Sequence, residues 1–95
     1  MIRERWLLTV KLEPEEIQAQ RGDGGGPFPY DDATRIIRYI TEYWGLLPED
    51  LGELAEWNSS EVKITGDTID YFIDVIPYIM LSTIPISITL EREED

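Results

Sequence analysis

The apolar residues change period twice along this chain of 95 residues, and that change limits the folds open to it more than any other feature. Trp6, Leu8, Val10 and Leu12 alternate with Arg5, Thr9 and Lys11, while Leu7 sits among the outward positions. This is the period of two of a strand with one buried face. Ala33, Ile36, Ile37, Ile40, Tyr43 and Trp44 instead recur at helical spacing, with Arg35, Arg38 and Glu42 towards the other side. Ile84, Ile86, Ile88 and Leu90 return to alternation, against Pro85, Ser87, Thr89 and Glu91. A half-buried strand and an amphipathic helix each need a partner for their apolar side. Together they predict a sheet covered by helices on one face.

Local signals divide the rest. Pro14 ends the first strand, because proline cannot donate to a ladder, and can open a helical turn over residues 15–19. Residues 21–30, rich in Gly and Pro, are expected to form a flexible loop. Asp31 or Asp32 suits the N-cap of the central helix and Gly45 its end. Pro48, Glu49 and Asp50 begin a second, shorter helix with Leu51, Leu54 and Ala55 facing inward, ending around residues 57–60. Residues 61–65 and 68–75 read as a β-hairpin across Gly66-Asp67, with Ile69, Tyr71, Ile73 and Val75 on one face. Residues 76–83 suit either a strand extension or a turn. The expected fold class is α+β: a single domain over residues 1–95, with about four mostly antiparallel strands and two or three helices on one face. Residues 92–95 form an acidic tail.

Missing residue types exclude much chemistry. Without Cys there are no disulfides, thiolate nucleophiles or Cys-ligated zinc, and without His the commonest general base and metal ligand is gone. No catalytic, cofactor-binding or metal-ligating residue is therefore assigned. The N-terminal apolar run is broken at Thr9 and Lys11, so no signal peptide is read there. Residues 75–90 are uncharged, but short of a membrane span and interrupted by Pro77 and Pro85. A cytoplasmic location is the expectation.

The net charge is −12, and it is unevenly placed. Residues 1–38 hold six bases and seven acids, whereas residues 39–91 hold ten acids against Lys63 alone. Such a field repels nucleic acid and anionic lipid and favours basic partners.

Short motifs carry little. The glycines at 22–26 are followed by prolines, with no Lys or hydroxyl to complete a phosphate loop. Arg21-Gly22-Asp23 and the sequon Asn58-Ser59-Ser60 match by spelling only. Asp70 and Asp74, if on a strand, would stand about 13 Å apart, too far for a working carboxylate pair. Glu49, Glu53 and Glu56 are spaced to line one side of the second helix, with Asp50 adjacent. Trp57 and Tyr30 lie at element ends, where interface anchors are found.

The function expected from these residues is that of an acidic, non-enzymatic protein-binding module. It would use Glu49, Asp50, Glu53, Glu56, Asp70, Asp74, Trp57 and Tyr30 to dock on a basic protein, a nucleic-acid-binding protein among the candidates. Inhibitors of the antitoxin, immunity or viral anti-defence type share this composition. One alternative is an assembly subunit, including a homodimer, pairing through a strand edge near residues 84–90. The other is a small carboxylate-based enzyme.

Overall fold

The computed structural model describes residues 4–14, 16–17 and 31–93. It contains β1 (Arg5–Leu12), α1 (Asp32–Trp44), α2 (Pro48–Leu54), β2 (Ala55–Asn58), β3 (Glu61–Gly66), a 3-10 turn (Ile69–Tyr71), α3 (Phe72–Ser82) and β4 (Pro85–Glu93). The strands form one four-stranded sheet in the order β2-β3-β1-β4, antiparallel at every pairing. Each of the two parallel pairs, β1 with β2 and β3 with β4, is joined through helix and split by a strand inserted between its members. This is the double split-βαβ, or ferredoxin-like, topology.

The α+β class therefore stands, and so do β1 and α1. Leu8, Val10 and Leu12 of β1 are buried under the helices, as are Ala33, Ile36, Ile37 and Ile40 of α1. Asp31 caps α1, its carboxylate accepting the Thr34 N–H at 2.8 Å. Gly45 ends the helix at φ +64°, a left-handed conformation that glycine adopts without strain. Across the sheet, Val62 and Ile64 of β3 continue the same buried layer.

The expected hairpin at Gly66-Asp67 is corrected. The hairpin is β2–β3, closed at Asn58 opposite Glu61, with Ser59 and Ser60 between them. The Asn58 side chain accepts from the Ser60 N–H at 2.9 Å, so the sequon residues form the turn. The second helix stops at Leu54, and Ala55–Asn58 leave it to become an edge strand.

Residues 69–82 form a 3-10 turn and α3 in place of a strand and an undecided stretch. Phe72, Val75 and Ile79 are fully buried, at helical and not alternating spacing. The segment is apolar on nearly every side, so either period can be read into it. Topology decides between them: β4 runs parallel to β3 on the far side of β1, and a parallel return needs a crossover, usually helical. Pro77 sits inside α3, where it cannot donate to the Ile73 carbonyl. Gly66 serves a different purpose from the turn read for it. A Cβ there would lie 3.0 Å from Cζ of the buried Phe72, so the absent side chain lets that ring pack on the end of β3. Arg92 and Glu93, read as tail, are the last residues of β4, and Arg92 lies opposite Trp6 of β1. The loop expected at 21–30 and the partner residue Tyr30 lie outside the described residues.

Candidate binding cleft at the acidic end

Two loops and a helix start meet at the end of the sheet where β3 finishes: the α1–α2 connection, the β3–α3 connection and the first turn of α3. Aromatic contacts hold them together. Trp44 at the end of α1 packs tilted against Tyr71 with centroids 5.3 Å apart, and edge-on to Phe72 at 6.4 Å. Tyr39 stacks on Tyr78 at 3.9 Å and on Tyr43 at 5.4 Å, joining α1 to α3. The Tyr43 hydroxyl donates to Asp74 at 2.8 Å. That hydrogen bond, reinforced by the Asp74 charge, raises the Tyr43 pKa above the ordinary tyrosine value.

The turn into α3 is built by Thr68, whose hydroxyl accepts the Asp70 N–H at 2.9 Å. Asp70 and Asp74 then lie in the first turns, where the helix dipole favours acids. Four residues of helical rise, at about 1.5–2 Å each, separate them across the 3-10 turn and the start of α3, in place of the spacing of a strand. Both are exposed.

Between these loops lies an open cleft of about 230 Å³ walled by Trp44, Leu46, Leu54 and Tyr71, with Thr65, Gly66 and Asp67 at the β3 side. Asp67 and Asp70 are exposed beside it, and Glu49 and Glu53 are exposed on the neighbouring α2. Two bases at this end are engaged, Arg5 with Glu93 at 3.5 Å and Arg92 with Glu4 at 3.6 Å, and in mid-α1 Arg38 lies 3.7 Å from Glu42.

The candidate partner residues are thus divided. Glu49, Glu53, Asp70 and Asp74 share this end. Asp50 is occupied locally, its carboxylate accepting the Leu47 N–H at 3.2 Å to cap α2. Glu56 leaves the helix and lies in β2 on the sheet face turned away from the helices, opposite Lys63, where with Glu53, Arg5 and Lys63 it lines a second open pocket of about 300 Å³. Trp57 is exposed on that same edge strand, away from the cleft. Cleft residues Trp44, Asp67 and Tyr71 were not among the partner candidates. Thr68 followed by Asp70 and Asp74 is the sequence signal for a helix start that would have led to them.

Among the described residues no group of three acidic side chains is arranged to hold a metal ion. None of their helices is long and apolar enough to cross a membrane. Comparison with protein-family models, curated proteins and solved structures gives no match for this chain.

Proposed function

We propose that this chain is a non-enzymatic protein-binding domain that takes a basic segment of another protein into the cleft between Trp44, Leu54 and Tyr71. One observation carries the reading: a cleft with apolar, aromatic walls has the carboxylate of Asp67 in its lining, with Asp70 exposed next in the chain to Tyr71. A lysine or arginine side chain has the matching build, an apolar stem with a charged head. Its stem would lie on Leu54 and Tyr71, and its head would reach Asp67 or Asp70, with an aromatic face adding about 0.5–1 kcal/mol. An inhibitor or antitoxin acting on a nucleic-acid-binding protein is the concrete form, since nucleic-acid grooves are lined with such side chains. Capping at Asp50 and the outward position of Glu56 favour docking of individual basic side chains over imitation of a continuous phosphate row.

The test is capture from a lysate of the native host, eluted with a salt gradient and compared between the wild-type chain and a Tyr71→Ala, Asp67→Asn, Asp70→Asn triple variant. The expected result is a basic protein that salt releases and that the variant fails to hold. Equal retention by both chains, or retention indifferent to salt, would remove the cleft from the binding surface.

A further inference from the structure

The flank of the molecule beyond α3 has a different character from the acidic end. α3 has three sides. Phe72, Val75 and Ile79 are buried in the core. Towards α1 it presents Asp74 to Tyr43, Tyr78 to Tyr39, and the Ser82 carbonyl to Arg35 at 3.4 Å. The remaining side carries Ile73, Pro77 and Met80 at helical spacing; Ile73 is 61% exposed and Met80 64%. Leu81 on the outer crest is 87% exposed, and Ile84 and Ile86, leading into β4, are 55% and 63% exposed. Because α1 packs over β2 and β3, the free side of α3 points past β4, the edge of the sheet.

β4 is an unusually open edge. The other edge strand, β2, has four residues, and short length is one of the ways sheets protect an edge. β4 has nine residues and no lysine, and both its proline and its one irregularity lie at its start, around Pro85 and Ile86. From Ser87 to Leu90 it pairs regularly with β1, and among the described residues no strand pairs with its other side.

From these two features we infer that a second copy of this chain docks here, β4 against β4 in an antiparallel two-fold pair, with the free sides of the two α3 helices covering each other. The sheet then runs continuously through eight strands. Three arguments select a copy over another occupant. A two-fold antiparallel contact is self-complementary, so one open strand supplies both partners. The pairing also sets the charged end of β4, Glu91, Arg92 and Glu93, against the uncharged start of the other strand. Like charges are thereby kept apart in a chain of net charge −12, and residues 75–90 contain no charge at all. Finally, the five exposed side chains offer on the order of 500 Å² of apolar surface, and the strand edge adds to it. That approaches the ~800 Å² per partner of a stable interface and lies within the range of the largest patches on typical monomers.

The experiment is sedimentation of the full chain from about 1 to 200 µM at low and high salt, with circular dichroism as a fold check. Wild type is expected at twice the 11.0 kDa chain mass, with a dimer constant that salt leaves unchanged or tightens as it screens the acids. Met80→Lys with Ile73→Lys changes only exposed positions. It should keep the fold and sediment as monomer, with association weakened at least 100-fold. A wild-type chain that stays monomeric throughout, or a dimer that survives the double variant, overturns the inference. Capture of a basic protein by the monomeric variant would leave the cleft standing, so the two readings fail separately.

Discussion

The acidic end and the α3–β4 flank are both exposed, yet they follow opposite physical rules. At the acidic end, Asp67 lines a small, largely apolar cleft and Asp70 is exposed next in the chain to Tyr71 of its wall, and the attraction on offer is electrostatic, local and weakened by salt. On the flank, isoleucine, methionine and leucine stand beside an unpaired strand edge, and the attraction is loss of apolar surface from water. The two meet through α3, whose approach and first turn carry Asp70 and Asp74 and which ends beside Ile84, and through the last residues of β4. One helix thus lends its first turn to a polar surface and its outer length to an apolar one. Net charge alone describes neither region, because nothing charged lies on the flank side of the helix.

Several substitutions would break or sharpen that contrast. The largest effect is expected of Phe72→Ala, which empties a fully buried site at the base of both regions. It should cost about 3–5 kcal/mol in urea unfolding and abolish cleft binding and self-association together. Loss of one alone would show that the two surfaces do not share this anchor. Next comes Gly66→Ala. Its Cβ would press on Phe72 and Tyr71 at 3.0–3.2 Å, and the buried Phe72 ring has little room to yield. A loss of about 1–3 kcal/mol is expected, with the cleft impaired before the flank; unchanged stability would mean that α3 can shift.

Salt should separate the regions without any mutation. Between 50 and 500 mM, binding of an arginine-rich peptide at the cleft should weaken several-fold, by about 1 kcal/mol, while dimerisation holds or strengthens. Parallel weakening of both would place attractive ion pairs in the dimer contact. The smallest effect is a titration. The Tyr43 phenol, held by its hydrogen bond to Asp74, should ionise above the ordinary tyrosine value, and Asp74→Asn should bring it back. With a folded pKa raised above the unfolded one, this contact contributes fully below the unfolded value near pH 10 and is lost as pH rises through the folded value. Ultraviolet difference titration reads it directly, and identical curves for the two chains would show that the hydrogen bond does not form in solution.

How far each element could be read depended on whether its residues carry their own period and punctuation. In β1 the alternation from Trp6 to Leu12 needs no partner to be recognised. α1 holds a complete local record: Asp31 as cap, isoleucines at helical spacing and Gly45 as stop. The acid excess after residue 38 was equally plain, but its arrangement was not. Glu56 follows Glu49 and Glu53 at helical spacing and yet leaves the helix, because Ala55–Asn58 can hydrogen-bond along β3. A strand of four residues has too few side chains to announce itself, and its stability comes from the strand beside it.

The same division governs residues 68–83. Thr68 with Asp70 and Asp74 is a legible helix start, but Ile, Val, Tyr and Phe in close succession also satisfy a strand, and Pro77 argues against a helix interior. The class of fold, the first strand, the central helix and a one-sign charge field are all set by neighbours along the chain. The tertiary structure alone decided that residues 72–82 cross over as a helix, that Trp44 and Tyr71 wall a cleft among the acids, and that α3 faces outward beside an open edge. Each of these depends on which strand lies next to β1, and that choice is made by contacts between residues far apart in the chain.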